Sequence, residues 1–359
     1  MSELDLLYSE VEEDLRATVR GALADRCTPA AVIAMYDGDR SAVPGLWKTV
    51  AVELGLAGLL VPEAAGGAGA SAREAAVVLE ELGRAVAPVP FLTSAVIATT
   101  AVAGTGAALL GELAAGERVA ALAVPLTTGP DAPLPALDLT ADGRITGAVT
   151  SVAGALEADV LLVPAGGGLY AVPAEHARIA PVVSLDMSRQ LADVAFDGAA
   201  GELVVADAEP AVRAGLRAGA ALLASEQVGL ARWCLAETVA YLKVRRQFGR
   251  VVGGFQAIKH RLADLAIAVD NGVAAARHAA AALAADDPDV PVATAVAASF
   301  CGELAVTAAE EAIQLHGGIG MTWEHPAHLY LKRAKADQLA LGTPGSHRAR
   351  LAELVGLPG

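Results

Sequence analysis

A helical seam in the C-terminal half narrows the choice of fold most. Phe255, Ile258, Leu262, Leu265 and Val269 follow one another at intervals of three, four, three and four residues. That spacing puts all five on one stripe of a helix packed along its length against others. The helix that carries the seam is predicted to run from Phe255 to Ala285. Segments of similar texture cover Ala211 to Lys243, Val290 to Leu315 and Trp323 to Leu341. Four such helices in series predict a four-helix bundle. Alanine is abundant and aromatic residues make up only 4%, which lets helix axes approach closely.

Ahead of the bundle, from Glu117 to about Ala208, the texture is different. RVAALAV, RITGAVTSV, DVLLVPA, GLYAVPA and LADVAFDG are short Val- and Leu-rich runs punctuated by Gly, Pro and Asp. They predict a small β domain, a sandwich or a barrel. The first 116 residues read as helical. Leu4, Leu7, Val11, Leu15 and Val19 fall at helical spacing, and Gly58 to Ala70 is a glycine-dense loop. Ser71 followed by Glu74 is a capping box that opens a helix ended by Pro88. The expected architecture is an α+β multidomain chain: helical over 1–116, β over 117–208 and a helical bundle over 209–359.

A formal net charge of −15 argues against nucleic acid or an anionic membrane as partner. It leaves room for an anionic ligand held by a local arginine patch. Cys27, Cys234 and Cys301 are far apart and odd in number, as expected of structural thiols in a reducing cytoplasm. The acidic N-terminus has no secretory pattern, and no membrane span is expected.

Two stretches of the bundle half stand out. In the first, Arg245, Arg246, Gln247, Phe248 and Gly249 end one helix, and Phe255–Gln256 begins the next. In the second, Gln314 is followed by His316, Gly317, Gly318 and Gly320. Each has an ordinary explanation. Basic residues suit a helix C-terminus, and glycines suit a turn. The two together, after an α–β preamble, are more specific.

At this point the sequence resembles the acyl-CoA dehydrogenase family over nearly its whole length. LGLAGLLVPEAAGGAGAS (54–71) and LDMSRQLADVAFDG (185–198) resemble signatures of its first and middle domains. The resemblance implies a helical domain, a middle β domain and a C-terminal bundle in a tetramer that holds extended FAD at a dimer interface. It implies that Arg245, Gln247 and Phe248 meet the pyrophosphate and adenosine end of FAD, with Gln256 nearby. Gln314, Gly317 and Gly318 would contact that FAD across the interface, and Thr343 would be a further contact. A guanidinium suits a diphosphate, and glycines admit phosphate oxygens to backbone N–H groups.

The family reaction, removal of two hydrogens from an acyl thioester, needs a carboxylate for the α proton. Its usual slot, before Gly-Thr at the end of the fourth bundle helix, is here Leu341. The alternative slot on the first bundle helix falls near Gly219, between Ala218 and Ala220. Leucine and glycine cannot abstract a proton. Glu226, about two turns along, is the nearest acid; a displaced base and a paired structural carboxylate are both open to it. His316 and His347 read as structural or surface residues. The flavin cradle is also unrecognisable, because VPLTTGPDAP and AVTSVAGALEAD stand where the family shows a TEP-type turn and a Trp-Ile-Thr strand. Leu341 is expected in a shallow or collapsed pocket against apolar bundle residues.

Three readings follow. The chain is the base-lacking partner of a catalytic sister chain in an α2β2 acyl-CoA dehydrogenase for bulky, steroid side-chain-type thioesters, with electron-transfer flavoprotein as acceptor. Alternatively it is a self-sufficient enzyme using Glu226, or a non-enzymatic relative.

Overall fold

A computed structural model describes residues 4–105, 108–135 and 137–357. The N-terminal region carries α1 (Glu10–Arg26), α2 (Pro29–Ala34), α3 (Ala42–Lys48), α4 (Ala72–Arg84), a π-helical segment Phe91–Ala98 continuing into α5 (Thr99–Val102), and α6 (Ala108–Ala114). The Ser71–Glu74 capping box forms as expected. A second box, Ser9 with Glu12, starts α1 only at Glu10. The helical spacing read from Leu4 therefore overreached: Leu7 lies before the helix, and both Leu7 and Val11 are exposed. The cap, not the apolar periodicity, sets where the helix begins.

The middle region is a sandwich. One sheet has the order β1 (Ala120–Leu122), β4 (Val160–Ala165), β5 (Gly168–Pro173), β8 (Glu202–Val205); the other has β2 (Asp138–Leu139), β3 (Ile145–Ala153), β7 (Leu191–Ala199), β6 (Arg178–Val182). Among the described strands, β1 and β4 pair in parallel and the others antiparallel, with an isolated parallel bridge between Leu137 and Ala165. Leu161, Val163 and Val172 of the first sheet meet Ile145, Val149, Val194 and Phe196 of the second in one core. All five apolar runs became strands. The three strands not anticipated are all edge strands, short or solvent-facing. Pro181 sits in one of them, as fits the confinement of proline to sheet edges.

The bundle comprises α7 (Ala208–Val244), α8 (Gln256–Ala284), α9 (Val290–His316) and α10 (Ala327–Leu339), followed by α11 (Pro344–Leu354). Two boundaries differ from the reading. α7 begins before Pro210, because proline is tolerated in a first turn. The fourth helix begins at Ala327 rather than Trp323, because Pro326 keeps His325 out of helical geometry. By length and hydropathy the segment Val290–Met321 could cross a membrane, but 67% of its apolar window is buried inside the molecule as a bundle helix.

The contact of α4 with α7 positions the site. A Cβ on Gly83 would lie 2.1 Å from the Glu226 carbonyl oxygen, and one on Gly229 would lie 2.0 Å from that of Glu80. The two helices therefore pack backbone against backbone, which only glycine permits. The side of α7 that carries Gly219 and Glu226 is thereby drawn tight against the N-terminal region.

Candidate active site and cofactor-contact surface

At the end of α10 the chain turns through two residues of left-handed backbone, Leu341 (φ 55°) and Gly342 (φ 103°). Thr343 then caps α11, its Oγ1 accepting from Ser346 N at 3.1 Å. Leucine pays about 1–2 kcal/mol for that conformation, and its surroundings hold it there. Leu341 N donates to the Leu126 carbonyl at 2.8 Å, and buried His347 donates from Nε2 to the Leu341 carbonyl at 3.0 Å. Burial lowers the His347 pKa, which suits a neutral ring in this role.

The Leu341 side chain is 2% exposed. It closes a cavity of about 20 Å³ with Thr93, Ile97, Leu122, Val124, Leu126 and Leu216 among its walls. That is room for about one water. A Cβ on Gly219 would stand 3.0 Å from Leu341 Cδ1. The two positions where a base was sought thus face each other, and both are apolar. The pocket is collapsed as expected. Its walls, however, come mainly from the N-terminal and middle regions, with Leu216 the bundle's share, which corrects the expectation of bundle packing. The two cradle segments are also tied together, because Leu126 N donates to the Ser151 carbonyl at 3.0 Å.

Glu226 does not face this cavity. It is buried, and both its oxygens lie 2.6 Å from the Arg189 guanidinium. Arg333 reaches Glu226 Oε1 and Asp186 Oδ2, each at 2.6 Å, and donates to Ser188 Oγ at 2.7 Å. Arg189 also pairs with Asp337. Burial alone would raise the Glu226 pKa, but Arg189 and Arg333 outweigh it and hold the group below its ordinary value. A carboxylate so paired is a poor proton acceptor, and its place in the ion network ties the middle-region loop 186–189 to α7 and α10. Asp337 is pushed the other way, up to about 7, chiefly by burial. The sequence reading missed Arg189 and Arg333; the cue available was the pair Arg333 and Asp337, one helical turn apart.

The other predicted residues lie elsewhere. Arg245 caps α7 and leads into a hairpin of β9 (Arg246–Gln247) and β10 (Arg250–Val251). Phe248 and Gly249, both with positive φ, form its tip, and Phe248 is 91% exposed. Arg245, Gln247, Gln256, Gln314, Gly317 and Gly318 are all exposed. Among the described residues, neither Arg245 nor Arg246 has an ion-pair partner. Tyr241 stacks on His316 at 4.5 Å, so the hairpin and the glycine turn share one end of the bundle. Thr343 is not with them; it follows the far end of α10, and its hydroxyl is engaged in the cap.

Residues 9–117 match the description "Acyl-CoA dehydrogenase, N-terminal domain", and residues 210–356 match "Acyl-CoA dehydrogenase, C-terminal domain". Acyl-CoA dehydrogenase IpdE2 of Mycobacterium tuberculosis is 37% identical over 350 residues, covering 96% of this chain and 98% of that protein. The chain belongs to the acyl-CoA dehydrogenase family. Two solved structures align along nearly their whole length. A chain of the ChsE4–ChsE5 complex from M. tuberculosis has a TM-score of 0.87 and 25% identity, covering 99% of this chain and all of that one. A chain of the Tcur3481–Tcur3483 steroid ACAD has a TM-score of 0.83 and 28% identity, covering 97% and 98%. This acyl-CoA dehydrogenase family member therefore has the family's helical ends and middle sheets, around a collapsed pocket.

Proposed function

We propose that this chain is the base-lacking subunit of an FAD-dependent acyl-CoA dehydrogenase, completing the cofactor sites of a homologous catalytic chain. The observation that carries the reading is the close approach of Leu341 to Gly219 together with the cavity of only about 20 Å³ that Leu341 lines. There is no carboxylate in either base position and no room for an acyl chain. Two-component names among the solved relatives support a heteromer, and the steroid ACAD among them supports a bulky acyl thioester as substrate.

The exposed motif residues fit a cofactor bound between chains. Arg245 offers an unpaired guanidinium to a diphosphate. A Cβ on Gly318 would meet nothing within 4 Å, so the backbone there is open to an approaching group. In the catalytic partner's site, a bound FAD would supply the hydride acceptor for the acyl chain. Arg245, Gln247, Phe248 and Gln256 would hold and orient its diphosphate and adenosine end. Gln314, Gly317 and Gly318 would supply neutral and backbone contacts, and electron-transfer flavoprotein is the proposed acceptor. Glu226, doubly paired, argues against the self-sufficient alternative.

The test is co-expression with the catalytic partner and measurement of flavin per chain. Arg245→Ala should lower flavin retention, and Gln314→Ala should do so more weakly. Gly318→Val is the cleaner glycine probe, since Gly317 has φ 66° and a substitution there strains the turn by itself. Gly318→Val should leave the isolated chain's stability unchanged while reducing flavin in the complex. Purification of the lone chain with stoichiometric flavin and acyl-CoA turnover would overturn the reading.

A further inference from the structure

Behind the Gly317–Met321 turn, three side chains from separate elements converge. Glu237 comes from α7, His316 from the end of α9, and His325 from the loop before α10. Each offers a ligand atom within 4.8 Å of the others. We propose that Glu237, His316 and His325 form a binding site for one divalent first-row transition-metal ion of the zinc type.

His316 carries the strongest evidence. It is buried, and its Nδ1 donates to the Ala312 carbonyl at 2.7 Å. That bond places the lone pair on Nε2, and Nε2 is buried without a hydrogen-bond partner. An imidazole anchored through one nitrogen to a backbone carbonyl, with the other free, is the usual arrangement of a metal-bound histidine. Glu237 is half-buried and has neither an ion pair nor a side-chain hydrogen bond among the described residues. The His325 ring lies with its centroid 4.2 Å from that of His316.

Plain ring packing, Tyr241 stacked on His316 and His325 tilted against it, accounts for the contacts. It leaves a buried lone pair and a half-buried carboxylate unserved, and a buried acceptor without a partner keeps its desolvation cost uncompensated. One cation serves both. Two imidazoles and a carboxylate suit zinc or cobalt rather than magnesium or calcium, and three protein ligands leave a fourth position for water.

Ligation requires a modest closure. Metal–ligand bonds of about 2.0–2.1 Å put tetrahedral ligand atoms roughly 3.3 Å apart, and the non-helical loop 322–326 can supply the movement. His325 would bind through Nε2 with its ring proton on Nδ1. It would give up the 3.2 Å bond from Ala327 N, an N–H of the first helical turn that water can serve. The site depends on none of the flavin assignments above.

The experiment uses the full chain without a histidine tag, stripped with a chelator and titrated with Zn²⁺ or Co²⁺. The expected result is one ion per chain, cobalt bands of a low-coordinate site, and no competition from Mg²⁺ or Ca²⁺. Glu237→Gln and His325→Ala should each weaken binding about tenfold or more. His278→Ala, on an exposed position of α8, should not. His316→Ala is secondary because its burial confounds folding, whereas Glu237 and His325 are partly exposed. Absence of saturable binding below roughly 100 μM, or binding indifferent to both Glu237→Gln and His325→Ala, would overturn the proposal.

Discussion

Replacing Leu341 with glutamate puts a carboxylate where the proposed function places the missing base and tests whether that residue type is all the site lacks. The cavity it would enter is about 20 Å³, and no Arg, Lys or His lines it. Removing a leucine that is 2% exposed forfeits about 1.5–3 kcal/mol of burial. Leaving a carboxyl without a partner adds about 1–3 kcal/mol, so the expected loss is roughly 2.5–6 kcal/mol. A pH series separates the two parts. Burial raises the folded-state pKa of the new acid above its unfolded value. The charge penalty is therefore absent below the unfolded pKa and grows as pH rises toward the folded pKa. Leu341→Gln, which carries the shape without the titration, is the control. Denaturant midpoints at pH 5 and pH 8 should diverge between the two variants, with the glutamate variant worse at pH 8. Given FAD, acyl-CoA thioesters and an artificial acceptor, the isolated Leu341→Glu chain should show no turnover, because the cavity of about 20 Å³ leaves no room for an acyl chain. Turnover well above the unmodified chain, or unchanged stability at pH 8, would refute the reasoning.

Gly229→Ala would drive a methyl into the Glu80 carbonyl and should destabilise the fold by about 3 kcal/mol or more, read by chemical denaturation; Gly21→Ala, inside α1 with open space around it, is the comparison and should stabilise by up to about 1 kcal/mol. Arg333→Met should cost about 3–5 kcal/mol by leaving Asp186 and Glu226 short of a buried cation. Asp337 titrates at about 7 against an ordinary 3.8, and its Oδ2 has no hydrogen-bond partner. A raised acid gives stability that is complete below the unfolded pKa and lost as pH climbs through the folded one. Asp337→Asn should therefore flatten the fall in Tm between pH 5 and pH 8 relative to wild type, and parallel curves would show the carboxyl ionised throughout.

The local code determined much of this molecule. The seam from Phe255 to Val269, the capping box at Ser71 and the five β runs depend on spacing and on neighbours within a few residues, so they are legible in one dimension. The absence of a carboxylate at Leu341 and Gly219 is legible only because the family resemblance marks those two positions. Edge strands are faint because one face carries no burial pattern, and α1 began where its Ser9 cap dictated. Other properties exist only after the helices pack. The Leu341–Gly219 contact, the backbone approach at Gly83 and Gly229, the ion network through Arg189 and Arg333, and the meeting of Glu237, His316 and His325 join residues that are for the most part far apart in the chain. Burial decides their chemistry. The same Glu226 that reads as a candidate base in sequence is a paired structural anion once two guanidiniums and the protein interior surround it.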